Sequence, residues 1–328
     1  MSYRFAKDAP EGFTNSVKKV AIVGAGGHIG KAIAEHFLKT GLHTVTAVTR
    51  PTSNSSLPDG LGKAVVDYQD EKSLISVLTG QDLLVITLSV NAPPGTHMAL
   101  VKAASKAGVR YVMPNAYSMN LATSEELRRD LPVSQLVLSN IAEVEEFGMI
   151  SVSLMCGFWY EYSLAFGPST FGFDFDNRTV TIYDDGKKAI NTSTWAQCGR
   201  AVASLFSCKI LPDDEGDESA TISKFHNKIL YVSSFKISQT DMFDSVKKVT
   251  GTTDHDWKIS YAETGARYRE AMEEFQQGKP EEFYKAMYAR VFFPSGDADF
   301  EPNSDRLGLP VEDLDESTRL GISLRGLL

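Results

Sequence analysis

Residues 17–50, VKKVAIVGAGGHIGKAIAEHFLKTGLHTVTAVTR, decide the fold of this chain. Residues 20–23 are bulky and uncharged, which is typical of a buried parallel strand. A glycine-rich turn follows at 24–30, and apolar residues at helical spacing then lead to Gly41, which ends the helix. A second strand is predicted over 45–48. A strand, a glycine turn, a helix and a second strand, in this order, predict a unit that binds a dinucleotide.

The glycine turn has the spacing G-x-x-G-x-x-G, in which the glycines have separate roles. We expect Gly24 to permit the tight turn, Gly27 to let a pyrophosphate approach the helix N-terminus, and Gly30 to let the helix lie close to the sheet. An ordinary turn can contain the same triplet, but its position between a strand and a helix favours a dinucleotide site. His28 either donates to phosphate or points to solvent. The predicted contacts in the turn are Gly24, Gly26, Gly27, His28, Ile29 and Gly30.

The end of the second strand predicts which dinucleotide is bound. An NAD site usually has Asp or Glu there, which accepts from the ribose 2′-hydroxyl. This chain has Thr49 and Arg50, followed by a segment rich in Pro, Ser and Asn that includes Ser53. A guanidinium and hydroxyl groups suit a 2′-phosphate, so the sequence predicts NADPH. The alternative is that Arg50 is a solvated surface residue.

Later strands add candidate cofactor contacts where they end. Strands are predicted over 63–67, 82–88 and 109–113, and the carboxyl ends of parallel strands meet at one edge of a sheet, where ligands bind. Asp67, which ends the first of these strands, either contacts the adenine or caps a turn. The predicted contacts are Asp67, Leu88, Ser89, Pro114 and Asn115.

The alternation of strands and helices predicts the fold class and the domains. We expect an α/β fold in which residues 17–156 form a Rossmann-type, doubly wound parallel sheet. Residues 1–16 are an N-terminal extension, and 157–328 form mainly a smaller α+β substrate domain, from which later segments can return to the first domain. A β-hairpin is predicted over 179–191, around the turn at 184–186.

The composition is that of a soluble globular protein, with 42% hydrophobic and 23% charged residues among 328. A net charge of −9 argues against a nucleic-acid partner. No apolar run is long enough to cross a bilayer, and residues 1–16 lack the apolar core of a signal peptide. The three cysteines lack metal-ligand spacing and fit a reducing compartment. We therefore expect a cytoplasmic monomer or homodimer, without a metal or a membrane partner.

Four features make the chain similar to a known family. They are the glycine turn, Arg50, the segment VMPNAY at 112–117 and the aromatic run GFWYEYSL at 157–164, and 171–173 and 183–186 add to them. Together they resemble the NmrA-like and isoflavone reductase-like atypical short-chain dehydrogenases, in particular the fungal CipA-like and aromatic alcohol reductase-like members. The resemblance implies an NADP(H)-binding domain with a small C-terminal substrate domain. It also implies reduction of aromatic or phenylpropanoid-like compounds or, in NmrA-like regulators, cofactor sensing without turnover.

The chain departs from this family at the residue that moves protons. Isoflavone reductase-like enzymes place a lysine on the helix before the sixth strand as general acid/base, and the expected position falls near Val137. Residues 107–186 contain no lysine. The tyrosine and lysine of ordinary short-chain dehydrogenases, Y-x-x-x-K, are also missing from the helix where they would face a nicotinamide.

Other side chains are therefore candidates for the proton donor that a developing alkoxide needs. Tyr117 is the first, because it follows the fifth strand directly. Tyr160 is the second, with Glu161 or Tyr162 behind it. For each tyrosine the alternative is packing or hydrogen bonding in the pocket wall. The predicted substrate-pocket residues are Asn91, His97, Phe158, Trp159 and Tyr162.

We expect an NADPH-dependent reductase of a small aromatic, phenylpropanoid-like or polyketide-like carbonyl or enone. The alternatives are a non-catalytic NADP(H)-sensing regulator, and a dehydratase or isomerase on the same fold.

Overall fold

The computed structural model describes residues 4–89 and 91–327. Its strands are β1 (Lys19–Val23), β2 (Thr44–Thr49), β3 (Gly62–Val65), β4 (Leu83–Ile86), β5 (Tyr111–Met113), β6 (Ile150–Met155), β7 (Phe158–Trp159), β8 (Phe173–Asp174), β9 (Thr179–Tyr183), β10 (Ile190–Ser193), β11 (Lys228–Tyr231), β12 (Phe235–Ile237) and β13 (Lys258–Ala262). Its α-helices are α1 (His28–Thr40), α2 (Glu71–Leu78), α3 (Thr96–Lys106), α4 (Glu125–Asp130), α5 (Val133–Glu146), α6 (Tyr160–Ala165), α7 (Trp195–Ser207), α8 (Gln239–Thr250), α9 (Thr264–Gln276), α10 (Glu282–Val291) and α11 (Leu314–Ser323). Short 3₁₀ turns cover Ala6–Asp8, Ile222–Phe225, Asp254–Asp256 and Asp305–Leu307.

A seven-stranded parallel sheet forms the centre of the molecule, with the order β3-β2-β1-β4-β5-β6-β11. Ile22 of β1 lies beside Ala47 of β2 and Val85 of β4. This order reverses between β1 and β4, as in a doubly wound nucleotide-binding sheet. The predicted α/β fold class is confirmed.

The two faces of the sheet bury alternate residues of β1. Val20 and Ile22 face a core that contains apolar residues of α1 and α7, including Phe37 and Phe206. Ala21 and Val23 face the opposite core, which is built from α2, α3 and α5. Helices on both faces explain why β4 is buried along its whole length.

Segments beyond residue 157 return to this sheet. Strand β11 extends it next to β6, with Leu230 beside Leu154. Helix α7 packs so closely on α1 that a β-carbon at Gly199 would lie 2.5 Å from the Ala32 carbonyl oxygen. The start of the chain is held here as well, because the Ala6 amide donates to the Pro212 carbonyl over 2.8 Å.

A second hydrophobic core lies in the C-terminal half. It includes aromatic residues such as Phe171, Phe173 and Tyr288. Two small sheets, with the orders β12-β10-β7 and β13-β9-β8, and the helices α6 and α8 to α11 complete this part. In the described residues, no helix is long and apolar enough to cross a membrane.

The predicted hairpin over 179–191 is wrong. Strand β9 pairs with β8 and β13, whereas β10 pairs with β7 and β12 in another sheet. The turn itself forms, with the Gly186 amide donating to the Tyr183 carbonyl over 2.8 Å. After this turn, however, the chain does not return alongside β9. The Asp184 carboxylate instead accepts from the Thr264 amide over 2.9 Å and from the Thr264 hydroxyl over 2.7 Å, at the start of α9. Apart from β8, which comes directly before β9, the partner strands are distant in sequence, so the local pattern did not reveal them.

Candidate cofactor and substrate site

The glycine turn between β1 and α1 is too crowded for side chains at two of its positions. Gly24 has φ +83°, and a β-carbon there would lie 2.0 Å from the Thr87 carbonyl oxygen. A β-carbon at Gly30 would lie 2.2 Å from the Gly24 carbonyl oxygen. The Thr87 hydroxyl also fills this space and donates to the Val23 carbonyl over 2.8 Å. Both glycines are therefore required for the turn and the helix to approach β4.

Gly27 differs from Gly24 and Gly30, because a β-carbon at this position would have free space around it. A β-carbon there would meet only the Gly24 carbonyl oxygen, at 3.4 Å, within a 4 Å radius. Gly27 is the N-cap of α1, which has neither a side-chain cap nor an acidic residue in its first turn. The helix N-terminus, with its free amides and positive dipole end, is thus open to an anion, and a pyrophosphate fits this donor set.

The segment after β2 lies against the glycine turn. The β-carbon of Ser55 lies 2.4 Å from the position of a β-carbon at Gly26. Arg50 is exposed at the end of β2 and has no ion-pair partner among the described residues. Burial raises the pKa of Tyr68 to about 12, and the nearby Arg50 guanidinium opposes this rise. An unpaired guanidinium at this point can receive a 2′-phosphate.

Two other residues predicted to contact the cofactor, Asp67 and Ser53, lie in turns. The Asp67 carboxylate accepts from the Gln69 amide over 2.9 Å, so it caps the turn after β3 while its side chain stays exposed. Ser53 also belongs to a turn, since its amide donates to the Arg50 carbonyl over 3.0 Å. Ile29 is buried in the core under α1 and contributes packing rather than a polar contact.

A hydrogen-bond network joins the loops that follow β4 and β5. The Leu88 amide donates to Asn115 Oδ1 over 3.1 Å, and the Asn115 amide donates to His97 Nε2 over 3.3 Å. His97 Nδ1 lies 2.6 Å from Glu143 Oε2. His97 is only 7% exposed, so its side chain is packed under these loops and does not line a substrate pocket, contrary to the prediction. Pro114 is buried beside Asn115.

Ser89 and Asn91 form the exposed part of the loop after β4. The Asn91 amide donates to the Ser89 hydroxyl over 3.2 Å, and both side chains are solvent-exposed. They lie at the carboxyl edge of the sheet, where ligands of open α/β sheets bind.

A row of aromatic rings runs from the glycine turn to α10, and we call it the aromatic wall. It consists of His28, Trp195, Tyr162, Phe166 and Tyr284. Successive ring centroids are 4.3, 6.5, 4.9 and 5.5 Å apart. The wall is partly open, since Phe166 is 46% exposed and His28 is exposed as well. Flat apolar faces of this kind suit a planar ligand.

Sequence reasoning missed two members of the wall. Trp195 is the first residue of α7, where the Thr194 hydroxyl caps the helix by accepting from the Gln197 amide over 2.9 Å. Tyr284 lies on α10 and reaches the wall only through tertiary packing. The cap at Thr194 was visible in the sequence, but nothing in the pattern showed that the residue after it would stack on His28.

Tyr117 is partly buried against the core that contains Trp195, and Glu161 is fully buried beside Trp195. The Tyr117 hydroxyl has no hydrogen-bond partner among the described residues, and burial holds its pKa well above the ordinary value, with the Cys156 and Cys198 thiols nearby. The Glu161 carboxylate is 1% exposed and accepts from the Trp195 amide over 3.2 Å. Burial raises the Glu161 pKa to about 7. The Tyr117 hydroxyl therefore keeps its proton throughout the neutral range, whereas the Glu161 carboxyl is mainly protonated only below pH 7.

Phe158 and Tyr160 belong to the second hydrophobic core and not to the aromatic wall. The Phe158 ring stacks on Tyr288 with centroids 3.8 Å apart. The Tyr160 hydroxyl is bound to the Thr318 hydroxyl over 2.6 Å, and its ring is fully buried. Trp159 instead packs against the first core, and its indole N–H is buried without a partner in the described part of the chain.

Helix α5 has Val137 where the family lysine is expected, and this side chain is 7% exposed in the second core. One turn later, Asn140 donates to the Asn115 carbonyl over 2.9 Å. The helix thus supports the β5 loop but offers no ammonium group. Among the described residues, no cluster of His, Cys, Asp and Glu could hold a metal ion.

Comparison with known proteins agrees with this geometry. Residues 24–139 match a family model described as NAD(P)H-binding. The oxidoreductase aprR of Aspergillus flavus is 26% identical over 308 residues, which cover 91% of this chain and 96% of that protein. The structure of AtPrR2 with NADP⁺ and (+)pinoresinol superposes with a TM-score of 0.73 at 15% identity and covers 94% of this chain and all of that one. An isoflavone reductase superposes with a TM-score of 0.69 at 18% identity, over 92% and 99% of the two chains.

The matched segment begins at Gly24 and spans the glycine turn, Arg50 and the β4 and β5 loops. The two solved structures share the whole fold, including the C-terminal part that carries the aromatic wall. Residues 24–139 therefore form an NAD(P)H-binding domain, and the chain as a whole has the fold of the isoflavone reductase-like proteins, in agreement with the resemblance found in its sequence.

Proposed function

We propose that this protein is an NADPH-dependent reductase of a small aromatic, phenylpropanoid-like or polyketide-like carbonyl or enone. The observation that carries the proposal is the direct contact between the two parts of the site. The open N-terminus of α1, which suits a pyrophosphate, begins with His28, and His28 is stacked on the aromatic wall. A dinucleotide and a flat substrate would thus meet at one edge of the sheet.

The cofactor would be held by backbone amides and one guanidinium. Gly27 and the first turn of α1 would bind the pyrophosphate, and Arg50 the 2′-phosphate. The loops at Leu88 and Asn115 would contact the nicotinamide end. When bound, NADPH supplies the hydride, so the protein itself has to orient the substrate and stabilise the developing charge. AtPrR2 carries NADP⁺ in the same fold, which supports the choice of cofactor.

Tyr117 and Glu161 are the proposed sources of the proton. A carbonyl oxygen that gains negative charge needs a hydrogen-bond donor near it. The Tyr117 hydroxyl has no competing partner among the described residues, and the raised pKa of Glu161, about 7, keeps this carboxyl protonated below neutrality. Tyr160, whose hydroxyl is bound to Thr318, has a structural role in this proposal.

The aromatic wall would bind the substrate by stacking. Trp195 is buried with its indole stacked on His28, Tyr162 is partly exposed beside Trp195, and Phe166 is 46% exposed at the outer end. Tyr162, Phe166 and the outer face of His28 would therefore contact the substrate. Burying a planar apolar ligand against such faces is favourable by the hydrophobic effect and by offset stacking. We propose a cytoplasmic monomer or homodimer, in line with the composition.

The test is NADPH oxidation by the purified protein with a panel of aromatic ketones, aldehydes and enones. The expected result is absorbance loss at 340 nm that depends on both protein and substrate. Absence of oxidation across the panel, with NADPH binding intact, would refute the reductase.

One observation favours a second function, an NADP(H)-sensing regulator that catalyses nothing. Helix α5 carries Val137, and no lysine, at the place of the family acid/base. A regulator should capture a protein partner differently with oxidised and reduced cofactor. Pull-downs under both conditions, with no NADPH turnover, would support it.

A further inference from the structure

We propose that His97 and Glu143 are positioning residues for the cofactor site, and that they act through Asn115. This inference rests on the proposed function, since it concerns the loops that would contact the nicotinamide end of NADPH. It assigns a role to Glu143, a residue that the sequence pattern did not single out. It also gives His97 a new role, as a support of the site in place of its predicted contact with substrate.

The distances fix the protonation of the His97 ring. The Asn115 amide can only donate, and it points at His97 Nε2 over 3.3 Å. This nitrogen must therefore be unprotonated and accept. The ring proton then lies on Nδ1 and is donated to Glu143 Oε2 over 2.6 Å. A carboxylate on one ring nitrogen thus sets the tautomer in which the other nitrogen is an acceptor.

Asn115 passes this constraint to two neighbouring loops. Its side-chain oxygen accepts from the Leu88 amide over 3.1 Å, and its carbonyl accepts from Asn140 over 2.9 Å. The residue is therefore held at its amide, its side chain and its carbonyl. The loop after β4 is tied to the loop after β5, and both are anchored to α3 and α5.

Two side chains of the network are buried, so water does not readily replace a bond that they lose. His97 is 7% and Asn140 is 4% exposed. Removing the acceptor of a buried donor destabilises the folded protein more than removing that of an exposed donor, because no water molecule takes the place of the lost acceptor. We expect a variant that removes the His97 acceptor to loosen Asn115 and weaken NADPH binding.

Protonation of His97 would remove the same acceptor. The imidazolium has hydrogens on both nitrogens, so Nε2 could no longer accept from Asn115. Burial lowers the His97 pKa, and the Glu143 carboxylate opposes this shift. Glu143, from α5, is the charged side chain that acts on His97 within the described part of the chain. The affinity for NADPH should consequently decrease as the pH falls below the pKa of His97.

The first experiment measures the Kd for NADPH by calorimetry between pH 5 and 8. His97→Leu should bind about tenfold more weakly at pH 7.5, the change expected for one unmade buried hydrogen bond. His97→Gln places an amide oxygen near the Nε2 position, so it should keep most of the affinity and lose the acid-side decline. Glu143→Gln should move that decline to lower pH, because the carboxylate no longer favours the imidazolium.

The control is Glu146→Gln, an exposed position on the same helix, which should match the wild type throughout. A purely structural role would lower the melting temperature of the His97 variants without altering the pH profile. The proposal is overturned if folded His97→Leu binds NADPH like the wild type, or if the wild type and His97→Gln share the same acid-side decline.

A second readout does not depend on the cofactor. In the protein alone, ¹⁵N spectra of the imidazole at pH 7 should show His97 protonated on Nδ1 and bare at Nε2. The Asn115 amide should exchange faster with solvent in His97→Leu than in the wild type. A proton on Nε2 would overturn the positioning role even if NADPH were the wrong cofactor. Absence of turnover with this tautomer present would instead count against the reductase alone.

Discussion

The Trp195 indole lies flat on the His28 imidazole, with ring centroids 4.3 Å apart and an interplanar angle of 4°. His28 is the first residue of α1, directly after Gly27, and Trp195 is the first residue of α7. The stack thus joins the uncapped N-terminus of α1 to the start of α7. It is the point where the cofactor and substrate parts of the proposed site meet.

Replacing Trp195 tests the wall. Trp195→Ala should lower kcat/KM for an aromatic substrate by about ten- to hundredfold, because a large stacking face is lost. Trp195→Phe should retain most of the activity. Steady-state kinetics check this, with Tyr261→Ala, at a 72% exposed site on β13, as the control. Unchanged kcat/KM in Trp195→Ala would show that the wall does not bind substrate.

Two glycines of the same turn should respond in different ways to an added methyl group. Gly24→Ala should lose stability by a few kcal/mol, since Gly24 has φ +83° and its β-carbon would lie 2.0 Å from the Thr87 carbonyl oxygen. Gly27→Ala should fold normally, because the added methyl group would not clash with the protein. It should bind NADPH weakly, because the methyl group would occupy the space of the proposed pyrophosphate. Thermal melts and calorimetry measure both quantities. Normal NADPH affinity in Gly27→Ala would place the phosphates elsewhere.

Arg50 should determine the preference for the phosphorylated dinucleotide. Arg50→Gln should weaken NADPH binding by about ten- to hundredfold, the effect of losing a charge-assisted hydrogen bond, and leave NADH binding nearly unchanged. The loss should shrink at high salt. Arg319→Gln, at an exposed position on α11, is the matched control. Equal effects of Arg50→Gln on the two dinucleotides would contradict this role.

Glu161 should make stability depend on pH. Burial raises its pKa from 4.5 to about 7 in the folded protein. Below about pH 4.5 the carboxyl is neutral in both the folded and unfolded states; as the pH rises through 7, folding must bury a charge, and stability falls. Glu161→Gln should therefore gain stability over the wild type with rising pH, by up to about 3 kcal/mol at pH 8.

Denaturant titrations at pH 5 and pH 8 measure this difference, with Glu11→Gln at an exposed position as the control. A stability difference that is the same at both pH values would mean that Glu161 is charged throughout. The same variant bears on catalysis, since a proton donor at position 161 would give a wild-type kcat that declines above pH 7 and a variant with much lower kcat.

A buried ion-pair cluster should stabilise the C-terminal half. Arg290 is 2% exposed and contacts Asp130 over 2.7 Å and Asp297 over 2.6 Å. Arg290→Met should cost about 3–5 kcal/mol, because it leaves Asp297 without its ion-pair partner and Asp130 with only the exposed Arg129. Arg129→Gln, which removes an exposed partner of Asp130, should cost less than about 1 kcal/mol. Equal losses in urea unfolding would contradict this difference.

The first βαβ unit could be predicted from sequence because its signals are local. Residues 20–23, the glycine turn and Gly41 each act on neighbours along the chain, and the structure has β1, α1 and β2 within one or two residues of the predicted bounds. The requirement for glycine at Gly24 is also local in origin, since it follows from a positive φ in a strand-to-helix turn.

The rest of the site depends on contacts between distant segments. Trp195 reaches His28 across more than 160 residues of sequence, and no periodicity reports such a contact. Likewise, His97 looked like a cleft residue because it follows a carboxyl-edge loop. In the structure its side chain is buried and hydrogen-bonded to Glu143 on another helix. Strand β11 likewise joins the central sheet only through pairing with β6, which lies more than 70 residues earlier in the chain.

The most direct measurement of the proposed reductase follows a label from the cofactor. The purified protein would be incubated with NADPH that carries deuterium at the transferred C4 position and with an aromatic enone or ketone that it consumes. Reduction predicts one deuterium per product molecule and an equal amount of NADP⁺. A product without deuterium, or conversion without NADP⁺ formation, would contradict hydride transfer and point to dehydration or isomerisation on the same fold.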